Sequence, residues 1–449
     1  MRSQAEPQRL GTSTLLCDVN SKQWHEQQKR IHLEMQEFQS WLDQHQELMA
    51  DELEQLCNLN SGSHSNDGLS QVADWLVDYF APLKVPVQTI ELQSFDAVDD
   101  LGLRRTHKTG NALRWDIGCL PSESSKRILL SIHYDTVYGP ESPFQKCVRN
   151  SSRDANGHLE NRMRGPGVID AKGGLVVMRW AAIAAQRFLD LSRMSLTIIT
   201  TPDEEIGSPA SIRLWQEIAG QFDFAMLFEP ALPDGSLVSK RKGTGTFVFV
   251  VRGKAAHAGR NFLDGRNAVV HASKLAVAID SINGRRPDVT LNVGRIRGGE
   301  AVNVVPDMAV IRVNVRVNDQ DDSQWVESQV QQIAQVFNSP ENGYTVEMHG
   351  GLHSAPKPID QETSHWMQLV EQAGAMVDQS IRWKASGGAS DGNKLASLGL
   401  SNIDTFGPEG DLLHSDQEWV RLASLAKKAI LAVAVINQVN KDVSTKMVR

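Results

Sequence analysis

The apolar runs ILLSI (Ile128–Ile132) and SLTII (Ser195–Ile199) enclose the segment GGLVVMRWAAIAAQRF (Gly173–Phe188), and this order decides the fold. Short apolar runs without alternation suit strands covered on both faces of a sheet. The longer segment between them reads as a helix. A third run, FAMLF (Phe224–Phe228), follows. Strands alternating with helices predict an α/β layer with helices on both sides.

Upstream, a helical pattern runs from about Trp24 to Leu56. Met35, Phe38, Leu42, Met49, Leu53 and Leu56 fall on one face, and His25, His32 and His45 are expected on the solvated side. The turn-rich loop NSGSHSNDG (Asn60–Gly68) leads into a second helix, LSQVADWLVDYF. Downstream, the texture changes near Lys242. GTFVFVVRG alternates as a strand and a helix covers 267–282. The strands TLNVGRI and MAVIRVNVRV, the helix SQWVESQVQQIAQVF and the strand YTVEM complete the set. This is the ferredoxin-like order. The α/β pattern resumes after His353 and closes in the helix LASLAKKAILAVAVINQV.

The expectation is therefore an α/β fold with a mixed, largely parallel sheet flanked by helices, carrying an inserted ferredoxin-like α+β lid. Residues 1–240 form the first part of the main domain, with a helical extension over 1–58. Residues 241–353 form the lid, and 354–449 the second part of the main domain. Lys240, Arg241 and Lys242 at the lid boundary read as a solvated hinge. GTGTFVF holds a G-x-G, but Val248 stands where a third glycine would be needed and no helix follows, so no dinucleotide site is expected.

Composition narrows the function. The chain has 449 residues, 41% apolar and 22% charged, which excludes collagen-like, disordered and membrane classes. A formal charge of −8, with no block of like charges, argues against a nucleic-acid partner. Cys17, Cys57, Cys119 and Cys147 are scattered, without C-x-x-C spacing, as expected for reduced thiols. The first residues lack the apolar stretch of a signal peptide, and no run approaches the ~18 residues of a membrane helix. A cytoplasmic location without membrane contact is the default.

Candidate ligands stand at or just beyond the ends of the apolar runs. His133 and Asp135 follow ILLSI as HYD, and Asp170 lies in RGPGVIDAKGG before the long helix. Glu204 and Glu205 follow SLTIITTPD, and Glu229 follows FAMLF as FEP. In open α/β sheets, sites form beyond the carboxyl ends of the strands. Crowded carboxylates repel one another and call for a cation. One His with several Asp/Glu and no thiolate suits zinc, manganese or cobalt, and oxygen-rich ligation favours a pair of ions. Asp135 is spaced to hold the second imidazole nitrogen of His133. Each feature alone has a plain structural explanation; the ordered set does not.

With KAAHAG, NVVPD and a late LHS added, the ordered motifs resemble the dizinc exopeptidase family. That family includes glutamate carboxypeptidase, aminoacylase, acetylornithine deacetylase and succinyl-diaminopimelate desuccinylase. The resemblance runs from about Asn60 to the C-terminus. FEPA, RKGTG, SGGASDGN and GPEGDLLHSDQEW are most similar to the glutamate-carboxypeptidase branch. It implies the zinc-exopeptidase type of fold and two Zn2+, with Co2+ or Mn2+ as substitutes. His133 and Glu229 would hold one ion, Glu205 and His414 the other, and Asp170 would bridge them. Glu204 would be the general base, with Asp135 behind His133. From the lid, His257 would stabilise the oxyanion, and Asn303 and Arg316 would bind substrate, Arg316 gripping a carboxylate. The glycines of SGGASDG, Gly387 and Gly388, either let a substrate backbone approach closely or mark a plain turn. The family holds the peptide after the bridging acid cis, so Asp170–Ala171 is expected to be cis. Where this branch commonly has an arginine after the last lid strand, this chain reads GGLHSAPKP, with His353 nearest.

The bottom-up chemistry agrees. A divalent cation lowers the pKa of a water it holds toward ~7, and a nearby unligated carboxylate can move that water's proton to a leaving amine. One glutamate cannot readily be both ligand and shuttle, so the adjacent pair divides the work. Asp203 carries no role beyond a turn. The expected activity is hydrolysis of an amide bond beside a free carboxylate, in a small peptide or an N-acyl amino acid, and the resemblance also implies a homodimer paired through the lids. A two-metal hydrolase of another class, such as a phosphoesterase, and a non-catalytic metal- or amino-acid-binding protein stay open as alternatives.

Overall fold

The computed structural model describes residues 35–120, 125–153, 157 and 159–441. Its central sheet has six strands in the order Val87–Ile90, Ala112–Gly118, Met194–Thr201, Lys126–His133, Phe224–Leu227 and Asn402–Ile403. Ala112–Gly118 runs antiparallel to both neighbours, and the remaining pairings are parallel. Successive residues of one strand enter different cores. Ile128, Leu130 and Ile132 pack with Leu175, Met178 and the C-terminal helix, whereas Leu129 packs with Leu214, Trp215 and Ile218. Cover on both faces is the physical reason the strand lacks polar alternation.

The helix Lys172–Phe188 is buried around most of its circumference and lies against the helix Ala423–Lys441. Its first turn approaches the sheet closely: a Cβ on Gly174 would sit 2.0 Å from the Phe228 carbonyl oxygen. A side chain there would push the helix start off the sheet and carry the adjoining Asp170 loop with it.

Residues 35–44 are helical, the chain turns at His45, and a second helix runs Gln46–Cys57. One continuous helix was expected. His45 Nδ1 donates to Trp41 O at 2.7 Å and the ring packs against both the Trp41 and Trp180 rings, so it is not on a solvated face. Residues 24–34, with His25 and His32, lie outside the described residues. Met35, Phe38, Leu42, Met49, Leu53 and Leu56 are all buried in the main core. Glu52 ties this segment down by accepting from Tyr79 Oη, Trp180 Nε1 and Arg179 Nη1.

The second sheet is antiparallel, in the order Thr290–Gly298, Met308–Val317, Gly243–Arg252, Thr345–Ser354. The helices Ala268–Asp280 and Gln320–Phe337 cover one face through Phe247, Phe249, Val251, Ile311 and Val313. Strand–helix–strand–strand–helix–strand is the ferredoxin-like order. The other face meets a hairpin from the main domain, Phe95–Val98 paired with Arg104–His107. Val98 joins Val248, Val250 and Val310, while Arg312 donates to Val98 O at 2.6 Å and to Asp100 Oδ1 at 3.2 Å.

The expected solvated hinge is corrected at its centre. Lys240 is exposed, but Arg241 is buried and donates to Asp404 Oδ2 at 2.7 Å. Lys357, where the chain returns from the lid, donates to the same oxygen at 3.0 Å, and Arg241 and Lys357 exchange both backbone hydrogen bonds. The three-residue basic run concealed a strand position whose side chain turns inward. Among the described residues no helix is long and apolar enough to cross a membrane.

Candidate active site

The parallel strands Met194–Thr201, Lys126–His133 and Phe224–Leu227 end on one side of the sheet, and the acids and the imidazole follow those ends. His133 closes its strand, Glu204 and Glu205 open a single 3-10 turn just past theirs, and Glu229 comes two residues after Leu227. Asp170 precedes the helix Lys172–Phe188, and the Asp170–Ala171 peptide is cis, as expected.

Two trios of ligand atoms result, His133 with Asp170 and Glu229, and Asp170 with Glu205 and His414. Within each trio the atoms lie inside 4.8 Å of one another. His133 Nε2 is 3.2 Å from Asp170 Oδ1 and 3.8 Å from Glu229 Oε2. His414 Nε2 is 3.2 Å from Glu205 Oε2 and 3.4 Å from Asp170 Oδ2. Asp170 thus offers one oxygen to each trio. Glu204 belongs to neither.

Electrostatics follow from this crowding. Burial raises the carboxyls of Glu204 and Glu229 above their usual range and that of Glu205 to about 7. Burial opposes ionisation of Asp170 too, but hydrogen bonds from His133 and His414 outweigh it and hold that carboxyl low. Burial disfavours a charged His133, yet the Glu229 charge and the Asp135 and Asp170 hydrogen bonds hold its imidazole well above 6.5. Hydrogen bonds to Asp170 and Glu205 push His414 up to about 11.

The donor set fits divalent cations. Each trio joins one imidazole to carboxylates without a thiolate, which suits a borderline ion such as zinc. Glu205 Oε1 is buried with no hydrogen-bond partner among the described residues, an unsatisfied acceptor at the place a cation would occupy.

Asp135 does more than hold an imidazole. Its backbone carbonyl takes His133 Nδ1 at 3.1 Å, with Oδ1 at 3.2 Å from the same nitrogen, and its carboxylate accepts from Glu204 N at 3.1 Å, Glu205 N at 3.2 Å and Ser63 Oγ at 2.7 Å. It therefore places both glutamates as well as the histidine. With Nδ1 turned to Asp135, Nε2 of His133 is left for a ligand.

A cleft of about 960 Å³ lies over the trios, lined by Glu204, Glu205, His414, Arg316, His353 and Lys394 among others. Arg316 is half-buried there, and its guanidinium makes no hydrogen bond or ion pair with any described residue. Gly387 and Gly388 are exposed, and the next residue, Ala389, lines the cleft. His257 and Asn303 are exposed and do not line it; the short strand Ala256–His257 pairs with Val304–Val305, and Ala258 N donates to Asn303 O just beyond that pairing.

Several supporting residues escaped the sequence reading. Asp203 is fully buried and accepts from Ala210 N, Ser211 N and Ser211 Oγ, so it anchors the turn that presents the two glutamates. Burial raises its carboxyl to about 6. Glu418, four residues after His414, is buried and accepts from Tyr138 Oη, Gly167 N, Ile169 N and Asp170 N. Its position in LLHSDQEW was the available signal. Asp391 and Lys394 form a buried ion pair at 3.0 Å beside the cleft.

A family model described as peptidase family M20/M25/M40 matches residues 129–438. Carboxypeptidase G2 of Pseudomonas sp. (strain RS-16) is 24% identical over 395 residues, 86% of this chain and 87% of that protein. A putative succinyl-diaminopimelate desuccinylase of Mycobacterium tuberculosis (strain H37Rv) is 28% identical over 323 residues, 67% of this chain and 79% of that protein. Among solved structures, the di-peptidase Dug1p from Saccharomyces cerevisiae superposes with a TM-score of 0.71 at 13% identity, covering 91% of this chain and 99% of its own. At that identity the likeness is one of fold. Because the family match takes in most of its length, the chain belongs to peptidase family M20/M25/M40 and is an enzyme of the metallopeptidase and amidohydrolase type.

Proposed function

We propose that this enzyme is a dinuclear metallohydrolase that cleaves an amide bond next to a free carboxylate. Its substrates on this reading are small peptides, cut at the C-terminal residue, or N-acyl amino acids. The observation that carries the reading is the pair of ligand trios sharing Asp170, with the unligated Glu204 beside them in the same cleft. Two Zn2+, or Co2+ or Mn2+ in their place, would be held by His133, Asp170 and Glu229 and by Asp170, Glu205 and His414. When bound, the ions supply Lewis acidity and lower the pKa of water.

The chain's own groups divide the remaining work. Burial gives Glu204 a raised proton affinity, so its carboxylate accepts the proton of the attacking water and returns it to the leaving nitrogen. Asp135 keeps the His133 imidazole and the Glu204 and Glu205 backbones in register through its four donors. Arg316, without an internal partner, takes the substrate carboxylate. His257 and Asn303 sit on the lid surface away from the cleft, so their contribution requires lid movement or a second copy of the chain. A homodimer through the lid is supported by the helix Ala268–Asp280, whose Val270 and Val277 are 49% and 71% exposed.

Glu204→Gln and Glu205→Gln test the division of labour. Glu204→Gln keeps both ions by elemental analysis while turnover falls by about 10²-fold or more. Glu205→Gln loses metal. A dipeptide and N-acyl amino acid screen on the zinc-loaded protein supplies the assay. Full activity in Glu204→Gln, or turnover of phosphate esters with no amide cleavage, would sink the reading.

A further inference from the structure

Beyond Glu204 the cleft wall carries basic groups from two different parts of the fold. Arg316 comes from the lid strand Met308–Val317, and Lys394 from the helix Asp391–Ser397 of the main domain. Both lie within electrostatic reach of Glu204 and of His353, so they face a common volume. His353 lies in that volume with its ring against Gly207, whose added Cβ would meet the imidazole at 3.2 Å. Burial, with the charges of Lys394 and Arg316, holds His353 at about 4, so at neutral pH it adds no charge there.

Lys394 is the unusual member. Its side chain is 2% exposed, and its ammonium reaches one acceptor among the described residues, Asp391 Oδ1 at 3.0 Å. Asp391 also accepts from Ser208 Oγ and from Trp215 Nε1 at 3.1 Å. An ammonium has three N–H donors. Burying it with donors unspent is costly unless a further acceptor arrives. A purely structural partner for Asp391 would have no reason to line the cleft beside Arg316, whose side chain has no hydrogen-bond partner among the described residues. The pin to Asp391 keeps the ammonium in one place, which reduces the ordering needed on binding.

We propose that Lys394 is a specificity-determining residue that, with Arg316, brackets the free carboxylate of the substrate. The inference rests on the amide-hydrolase reading above. It makes the acid terminus a requirement read by two elements of the cleft, the lid strand that carries Arg316 and the main-domain helix that carries Lys394. A substrate whose carboxylate is capped as an amide would leave Arg316 without a partner and Lys394 with donors unspent.

The test uses the metal-loaded full chain, the best dipeptide or N-acyl amino acid from the screen, and its C-terminal amide. Lys394→Met should raise KM for the acid by roughly tenfold to a hundredfold, the cost of a charge-assisted hydrogen bond, with kcat little changed. The amide should be affected far less, so the preference for acid over amide shrinks by about the same factor, and Lys394→Arg should restore most of it. Inhibition by the free amino acid product should weaken in parallel, while inhibition by the product amide should not. If Lys394→Met folds poorly because Asp391 is left unpaired, Asp391→Asn with Lys394→Met removes that charge and should show the same loss of acid preference. An unchanged acid-to-amide ratio in both variants, or equal rises in KM for acid and amide, overturns the assignment. Failure of the wild-type enzyme on acid and amide alike would instead overturn the amide-hydrolase reading, and this inference with it.

Discussion

Filling the two ligand trios should expel protons, and the number follows from the side chains. Without an ion, hydrogen bonds to Asp170 and Glu205 hold His414 at about 11, and His133 is held well above 6.5 in spite of its burial. His414 is therefore protonated at pH 7, and Glu205, raised by burial to about 7, is half protonated. Coordination needs neutral imidazoles and ionised carboxylates, so filling the Glu205–His414 position at pH 7 releases about one and a half protons, and any proton held by His133 or Glu229, both raised, adds to that. At pH 8 the Glu205 share falls to about a tenth, leaving about one from His414, and apparent affinity climbs by about one log unit or more per pH unit. Calorimetric titration of metal-stripped protein with zinc, in buffers of different ionisation enthalpy, reads the proton count as a slope. A slope near zero at pH 7 would mean neutral histidines and refute the reasoning. The sign for stability is also determined. His414 and Glu205 both have folded pKa values above their ordinary ones. Their contribution to the metal-free fold is complete at low pH, is lost for Glu205 by about pH 7, and declines for His414 from 6.5 toward 11. Metal-stripped protein should therefore melt at progressively lower temperature as pH rises through that window.

Two further substitutions probe the support and the assembly. Glu418→Ala leaves the backbone N–H groups of Gly167, Ile169 and Asp170 without their acceptor, while Tyr138 Oη keeps Ser415 O at 2.8 Å. It should cost about 3 kcal/mol or more in denaturant unfolding. It should also weaken zinc binding roughly 10- to 100-fold in a chelator competition; unchanged values of both would show that Glu418 does not position the Asp170 loop. Val277→Asp places a charge on the exposed face of the helix Ala268–Asp280. If that face joins two copies, light scattering should report one chain in place of two with melting unchanged, and a variant that stays paired would exclude this face.

The parts legible in the sequence are those where one local rule dominates. Runs such as ILLSI and SLTII betray strands covered on both faces, and the two β-α-β halves of the lid keep their order in plain view. His133, Asp170, Glu205 and Glu229 could be singled out because each stands at or just beyond an element boundary, where a buried charge needs a reason; His414, 55% exposed in a loop, came only through the resemblance carried by LLHSD. What stayed hidden depends on partners remote in sequence. Asp203 was passed over as a turn residue because nothing nearby tells that Ala210 and Ser211 fold back onto it. Arg241 looked like one of three surface cations because its counter-charge, Asp404, comes 163 residues later. Lys394 and Asp391 sit in a glycine-rich stretch that reads as a loop, and only the fold turns that pair toward Glu204. His45 was misplaced for the opposite reason: a helical wheel assumes one continuous helix, and the chain turns there.

The hairpin Phe95–His107 gives the lid a third anchor besides its two chain crossings at Arg241 and Lys357. Swinging the lid about those crossings would have to shear Val98 away from Val248, Val250 and Val310 and strip Arg312 of its Val98 and Asp100 acceptors, unless the hairpin travels too. Residues 91–94 and 108–111, which join the hairpin to the sheet, have no regular structure, and their ties to the main domain are Leu92 against the Leu129 and Trp215 core, Thr109 Oγ1 donating to Pro202 O at 3.5 Å and Tyr134 Oη donating to Asn111 O at 2.7 Å. Side wall and roof of the cleft then form a single moving part, and the slack in two four-residue joints sets how wide it opens. Lengthening either joint would widen that travel without altering a ligand, a lid residue or the core, which makes these joints the place where substrate size can be retuned independently of chemistry.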